Sequence, residues 1–256
     1  MTEKRKTLPS GLTGNTLKLI AIFTMLIDHI GAAVIEAGIL SSNDMARMMA
    51  ILETERGMQW YLADIVLRLI GRLAFPIFCF LLVEGFTHTG NEAKYARNLL
   101  LFALISEIPF DLAFFGRLFF PGAQNVYFTL FLGVEMMCFL KKYAGRPVIQ
   151  GAAVAAACGL SVLLKSDYSY MGILMIASFY LLRNRRTTQL ILAGILAAAE
   201  SLTLFGAAAL ALIPIARYNG ERGKLRLKYF FYWFYPVHLM VLGVLSLWIL
   251  PHFLGA

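Results

Sequence analysis

The stretch Leu17–Leu40, LKLIAIFTMLIDHIGAAVIEAGIL, constrains the fold most, because it is apolar and long enough to cross a bilayer yet carries Asp28 and His29 in its middle. His29 follows Lys18 by eleven residues, so on a helix the two share a face and lie about 16 Å apart. An ionisable group at mid-membrane costs about 2.5 kcal/mol or more, which favours a functional site. The alternative is a histidine that packs by hydrogen bonding to a neighbouring helix.

The composition predicts a membrane protein with several spans. Hydrophobic residues make up 59% of the 256 residues, charged residues 15%, and the mean hydropathy is +0.71, which is outside the range of a soluble domain. The net charge of +8 comes from basic clusters between apolar runs, where the positive-inside rule expects them, so no nucleic-acid partner is predicted. We expect one domain over residues 1–256.

The cysteines and the N-terminal segment carry no separate signal. Cys79, Cys138 and Cys158 lie inside apolar runs without metal-ligand or redox spacing and are predicted to be packing residues. The basic segment before Leu17 resembles a signal peptide, but the helix is too long and lacks a small-residue cleavage site. We therefore expect the helix that begins at Leu17 to remain as the first span of a plasma-membrane protein whose N-terminus is cytoplasmic.

Seven further apolar runs follow, and the connectors between them alternate in charge. The runs are Leu62–Thr87, Asn98–Phe115, Val126–Leu140, Val148–Leu164, Tyr168–Leu182, Leu190–Ala216 and Tyr229–Leu250. Basic connectors mark one side as cytoplasmic, whereas the loops Ser41–Tyr61, Gly116–Gln124 and Lys165–Asp167 are mixed or nearly neutral and are predicted outside. In the first of these loops, Ser42, Asn43 and Asp44 are candidates to cap a short surface helix.

The run Leu190–Ala216 lies between two basic connectors, which requires an even number of crossings. Its length suits two short helices that turn near Glu200–Gly206, as a thin hairpin or a re-entrant one. The predicted fold is an all-α integral membrane bundle of about nine helical segments that includes this short pair.

Five ionisable residues fall about halfway along five of the spans. Each lies ten or twelve residues past the start of its span, and they are His29, Arg72, Glu107, Glu135 and His238. Such groups should face the bundle interior and pair with one another. The interpretation that we prefer is a polar reaction chamber. The alternative is a structural ion-pair network, with Arg72 bound to Glu107 or Glu135.

Several segments resemble the TraX family of membrane proteins. They are LKLIAIFTMLIDHIGA, RLIGRLAFPIFCFLLVEGFTHT, KYARNLLLFALISEIPFDL, QNVYFTL and YNGERGKLRLKYFFYWFYPVHL, and together the resemblance covers most of the chain. The family looks like a branch of the transmembrane acyltransferase superfamily, which uses cytoplasmic acyl-CoA, and its named member acetylates the N-terminus of conjugative pilin. The resemblance implies a similar activity for this chain. Lys18 and His29 match the superfamily's basic residue and histidine, while Arg72 and Pro76 resemble a later motif. The familiar relatives usually have more spans.

This resemblance and the mid-membrane groups together predict an acetyltransferase. It would move acetyl from cytoplasmic acetyl-CoA to an amine or hydroxyl acceptor at the outer side, such as a pilin-like N-terminus, a glycan or a lipid. His29 would act as general base or accept the acyl group briefly. Asp28 or a neighbouring carboxylate, with Glu107 a candidate, would orient its ring. Arg72 or His238 would stabilise the oxyanion.

Cytoplasmic cations are predicted to hold the polyanionic head of CoA. The candidates are Lys18, Arg97, Arg222, Lys224 and Arg226, with Asn219 at the start of the last basic loop. Two other functions remain open. A proton- or ion-coupled transporter would also need intramembrane charges, although we find no inverted repeat with paired broken helices. A non-catalytic subunit of an assembly apparatus would not need the histidines.

Overall fold

The computed structural model describes residues 11–224 and 228–249, and within these ranges the chain is helical and contains no strand. The helices are α1 (Gly14–His29), α2 (Met45–Leu52), α3 (Glu55–Gly71), α4 (Ala74–Thr87), α5 (Glu92–Phe115), α6 (Val126–Lys142), α7 (Pro147–Leu163), α8 (Ser169–Leu181), α9 (Arg186–Glu200), α10 (Leu212–Ala216) and α11 (Lys228–Val244). Short 3₁₀ helices at Leu202–Leu204 and Ala207–Ala211 join α9 to α10.

Four helical stretches are long and apolar enough to cross a membrane. They are Gly14–Ile39, Glu55–Thr87, Glu92–Phe115 and Tyr229–Trp248, and shorter apolar helices lie at Pro147–Leu163, Ser169–Leu181 and Ala207–Ala216. The prediction of an all-helical bundle is confirmed for the described residues, and four of its helical stretches are candidate membrane spans. Helix length alone does not establish nine crossings.

The predicted run Leu62–Thr87 is two helices rather than one. Helix α3 begins earlier, at Glu55, because Thr54 caps it by accepting a hydrogen bond of 3.0 Å from the backbone N–H of Gly57. The break falls between Gly71 and Ala74. Pro76 has no N–H to donate to the carbonyl of Arg72, so a continuous helix would lack that bond. The break leaves Arg72 at the end of α3.

Helix α1 changes form beside its histidine. From Ile30 to Ile39 the chain continues as a π-helix, which the sequence did not predict. Wide turns of this kind are frequent at functional sites. The short helix α2 agrees with the prediction for the first loop, because the Asp44 carboxylate caps it by accepting from the N–H of Arg47 at 3.2 Å.

The connectors gather at the two ends of the bundle as their charges predicted. At one end, which we call the Lys18 end, the N–H of Gly14 donates to the carbonyl of Glu221 at 2.8 Å, and Lys141 pairs with Glu92. At the opposite, His29 end, the N–H of Gln124 donates to the carbonyl of Lys165 at 3.0 Å. The basic connectors lie at the Lys18 end and the near-neutral ones at the His29 end.

The run Leu190–Ala216 forms the predicted turn-back. The guanidinium of Arg186, at the start of α9, donates to the carbonyl of Ile215 in α10. Helix α9 therefore begins at the Lys18 end, and α10 ends there. The Ser201 hydroxyl donates to the carbonyl of Ala197 at 2.8 Å and accepts from the N–H of Ala208 at 3.0 Å, which fixes the turn. Glu200 therefore stands at the tip of the hairpin, inside the bundle.

Candidate active site

Two histidines from opposite ends of the chain meet in the bundle. His29 Nδ1 and His238 Nε2 are 2.6 Å apart, and the planes of the two rings lie within 6° of parallel, with their centroids 4.9 Å apart. His238 Nδ1 lies 2.6 Å from the carbonyl oxygen of Phe234. A carbonyl only accepts, so His238 must carry its proton on Nδ1.

This network assigns the proton positions of the pair. A neutral His238 protonated on Nδ1 has a lone pair on Nε2, which accepts from the N–H of His29 Nδ1. The lone pair of His29 is then on Nε2, and the ring lines a cavity. His238 therefore orients His29 and leaves its basic nitrogen available, which is the arrangement that a general base requires.

Helix α11 is adapted to place His238. Pro236, one turn after Tyr232, has no N–H to donate to the carbonyl of Tyr232. The Tyr127 hydroxyl donates to that carbonyl at 3.2 Å instead. The proline thus opens the backbone of α11 beside His238, and the hydroxyl of Tyr127 couples this backbone to α6.

Asp28 binds two arginines instead of the histidine ring. Its Oδ2 accepts from Arg68 Nη1 at 2.7 Å and its Oδ1 from Arg72 Nη2 at 3.4 Å. Arg72 Nη1 is also 3.6 Å from Glu200 Oε1, and Arg68 Nε is 3.8 Å from Glu36 Oε2. The ring of His29 is therefore hydrogen-bonded by His238 and not, as was expected, by Asp28. The Asp28 carboxylate instead neutralises the two partly buried arginines.

Close packing of α1 on α3 makes this charge pair possible. A Cβ added to Gly71 would lie 2.2 Å from the Cβ of Asp28, and one added to Gly31 would lie 2.8 Å from Asp64 Oδ1. Real Cβ atoms essentially never lie that close to another atom, so a side chain at Gly71 would displace Asp28 and one at Gly31 would displace the Asp64 carboxylate. Glycine at these two positions therefore lets the backbones approach until Arg68 and Arg72 reach Asp28.

A cavity of about 340 Å³ opens beside His29, and we call it the His29 cavity. Its polar lining consists of Asp28, His29, Glu36, Arg68, Arg72 and Asp167, together with Ser42 and Asn43. Burial raises the pKa of Asp167 to about 6, and Arg72 opposes that shift. The neighbouring Tyr168 stacks on Phe75 with ring centroids 3.5 Å apart. Three residues of this polar lining, Ser42, Asn43 and Asp167, lie in connectors, and these connectors are at the His29 end.

A second cavity, of about 470 Å³, lies toward the opposite end, and we call it the Lys18 cavity. Its polar lining includes Asn15, Lys18, Glu84, His88, Tyr95 and Arg222. Lys18 Nζ stands 5.1 Å from the ring centroid of Phe231, a cation–π contact that holds the ammonium at the wall. Lys18 and Arg222 therefore supply positive charge to one chamber.

The two cavities approach each other inside the bundle. Phe78 of α4 lines both of them. Tyr127 lines the Lys18 cavity and Tyr235 the His29 cavity, and their rings touch edge to face at 5.2 Å. Helix α1 carries Lys18 into one cavity and His29 into the other.

Comparison with known proteins now decides the family. The family profile described as TraX protein matches residues 13–246, which includes both cavities and both histidines. The chain belongs to the TraX family. It is also similar to the "Probable fimbrial assembly protein FimC, serogroup H1" of Dichelobacter nodosus, with 30% identity over 247 residues, 88% of this chain and 92% of the relative. No solved structure matches significantly.

In this TraX protein the five predicted mid-membrane groups do not form one cluster. His29, Arg72 and His238 belong to the His29 cavity or contact a residue that lines it. Glu107 and Glu135 line neither cavity. Glu107 Oε2 instead accepts a hydrogen bond from Asn125 Nδ2. The alternative of an ion-pair network with Arg72 holds for other partners than Glu107 or Glu135, because Arg72 contacts Asp28 and Glu200.

The predicted CoA-binding residues of this TraX protein also separate. Lys18 and Arg222 line the Lys18 cavity, whereas Arg97 and Lys224 are exposed and line neither cavity. Asn219 folds the loop, since its Oδ1 accepts from the N–H of Glu221 at 2.9 Å. Arg226 lies outside the described residues. Among the residues that sequence reasoning missed, Glu36, Asp167 and Glu200 had no signal beyond their charge.

Proposed function

We propose that this TraX protein is an integral-membrane acetyltransferase that moves acetyl from acetyl-CoA to an amine or hydroxyl acceptor. The observation that carries the proposal is the meeting of two cavities beside a histidine pair whose free nitrogen is His29 Nε2. Acetyl-CoA would occupy the Lys18 cavity, where Lys18 and Arg222 can neutralise its phosphates. The acceptor would occupy the His29 cavity.

The chemistry proposed for the pair is general acid–base catalysis. His29 Nε2 takes the proton of the acceptor as its nitrogen or oxygen attacks the thioester carbonyl carbon. The C–S bond then breaks, and the imidazolium returns the proton to the departing sulfur of CoA. His238 keeps His29 in the productive tautomer throughout. Both of its nitrogens are already hydrogen-bonded, so Arg72 is the better candidate for stabilising the oxyanion.

The similarity to a fimbrial assembly protein supports a pilin-like N-terminus as the acceptor. An N-terminal amine loses its charge on acetylation, which would alter how a subunit packs in a fibre. A glycan or lipid hydroxyl would suit the same base. In a transporter, the two cavities would instead form one conduction path, and neither CoA binding nor acetyl transfer is expected.

Donor binding provides the direct test of this proposal. CoA should raise the thermal unfolding temperature of the purified protein, and acetyl-CoA should be hydrolysed slowly when water replaces the acceptor. Replacing Lys18 and Arg222 together with glutamine should weaken CoA binding by about 10- to 100-fold, because two charge-assisted contacts are lost. The matched control replaces the exposed Arg97 and Lys224 and should change affinity little. A protein that neither binds CoA nor releases it from acetyl-CoA contradicts the proposal.

We further propose a plasma-membrane protein of about nine helical segments with the Lys18 end in the cytoplasm. On a background without the three native cysteines, single cysteines at Lys142, Arg185 and Glu221 should be labelled only from the cytoplasm. Cysteines at Asn43 and Arg117 should be labelled from outside by a reagent that cannot cross membranes. Labelling of positions 185 and 221 from opposite sides would mean that α9 and α10 together cross once, contrary to the proposal.

A further inference from the structure

We infer that Phe78 determines which acyl group the protein transfers, by forming the wall between the two cavities and admitting acetyl but not longer chains. This inference rests on the proposed acetyltransferase function and goes beyond it by naming a specificity-determining residue. Phe78 is half-buried and is the residue that the linings of the Lys18 cavity and the His29 cavity share.

The position of Phe78 follows from the break between α3 and α4. Arg72 stands at the end of α3 in the His29 cavity, and Phe78 lies less than two turns further on, in α4. Helix α4 packs against α1, which carries Lys18 and His29. Phe78 therefore lies on a helix that neighbours α1, and it lines both the cavity that contains Lys18 and the cavity that contains His29.

A thioester that enters from the Lys18 cavity must bring its carbonyl carbon to the acceptor atom that His29 Nε2 deprotonates. The acyl chain beyond that carbonyl then has to fit among the side chains where the cavities approach. The rigid walls there are the ring of Phe78 and the contacting rings of Tyr127 and Tyr235. The rings of Tyr127 and Tyr235 are in contact, and each of them lines one cavity. Phe78 lines both cavities, so removal of its ring would join the two spaces.

Discrimination by such a wall has a known scale. One methylene in an apolar pocket changes kcat/KM by about 10- to 200-fold. For the unaltered protein, kcat/KM should therefore be at least about tenfold lower with propionyl-CoA than with acetyl-CoA, and lower again by a similar factor with butyryl-CoA. Removing the phenyl ring of Phe78 should relieve most of this penalty.

The experiment measures CoA release by water from acetyl-, propionyl- and butyryl-CoA, so that no acceptor has to be known. Phe78→Ala should raise the ratio of butyryl to acetyl kcat/KM by at least about tenfold, and Phe78→Leu should raise it less. The matched control is Phe110→Ala, which removes an equal ring that lines only the His29 cavity, and it should leave the ratio nearly unchanged. A ratio within one preparation is independent of the amount of folded protein.

Four results would overturn the inference while leaving the proposed function intact, and the first three concern the use of butyryl-CoA relative to acetyl-CoA. They are an unaltered protein that uses butyryl-CoA as well as acetyl-CoA, a Phe78→Ala protein with an unchanged ratio, and a Phe110→Ala protein with the same gain. Loss of all CoA release in folded Phe78→Ala and Phe78→Leu proteins would also contradict it, because the ring would then be required for catalysis itself. If the unaltered protein neither binds CoA nor releases it, the proposed function fails first.

Discussion

Replacing His29 with alanine should lower the rate of CoA release from acetyl-CoA by roughly 10²–10⁴-fold, the usual contribution of a positioned acid–base group. The reason is that His29 Nε2 carries the free lone pair of the histidine pair and that His29 lines the His29 cavity. Binding of CoA should persist, because Lys18 and Arg222 are in the other cavity. Turnover with saturating acetyl-CoA and thermal stabilisation by CoA are the two measurements.

A companion change separates chemistry from positioning. His238→Ala removes the acceptor for His29 Nδ1 and should reduce turnover less than His29→Ala, since the base remains but its tautomer is no longer fixed. Unfolding temperatures must accompany both rates, because loss of folded protein also lowers activity. A stable His29→Ala protein with near-parent turnover would contradict the assignment, and the chemistry would then move to His238.

The sequence predicted the axial arrangement of this site well. The spacing of Lys18 and His29 gave their shared helix face, and the charges of the connectors gave the end of the bundle at which each connector lies. The turn-back at Glu200 followed from the basic connectors on either side of it. These features depend on helical rise and on charge, and both can be counted along the chain.

Lateral neighbours could not be obtained by the same counting. Depth along a span fixes the height of a residue but not the side of the helix that it occupies or the helix that it meets. Counting places Glu107 at the depth of the histidines, yet its carboxylate contacts Asn125, the residue that caps α6, rather than the histidines. Asp28 has two arginine partners that the sequence does not pair with it. Such contacts depend on how closely α1 packs on α3, which the glycines at 31 and 71 allow.

Phe78 illustrates a second limit of sequence reasoning. It is one of 20 phenylalanines, and its apolar setting indicates only packing. Its importance comes from facing two spaces at once. The basic residues show a related limit, because positive charge near a membrane indicates orientation as readily as ligand binding. The positions of Arg97 and Lys224 fit a role in orientation, and those of Lys18 and Arg222 fit ligand binding.

Replacing Asp28 with alanine should destabilise the fold more than any other single change to the charge cluster. The Asp28 side chain is only 11% exposed and binds both Arg68 and Arg72. Its removal leaves two partly buried cations without their common partner, and because breaking a fully buried pair in this way costs about 3–5 kcal/mol, we expect a loss of up to that size. The measurement is the unfolding transition in detergent, compared with that of the unaltered protein.

Glu36→Ala is the matched control, because Glu36 also faces Arg68 but at 3.8 Å and with a side chain 40% exposed. An exposed pair of this kind contributes about 1 kcal/mol or less, so the transition should move little. Asp28→Asn should fall between the two, since the amide oxygen still accepts one arginine hydrogen bond but carries no charge. If Asp28→Ala unfolds no more easily than Glu36→Ala, the arginines do not depend on Asp28 for neutralisation. Glu200 would then be the carboxylate that balances Arg72.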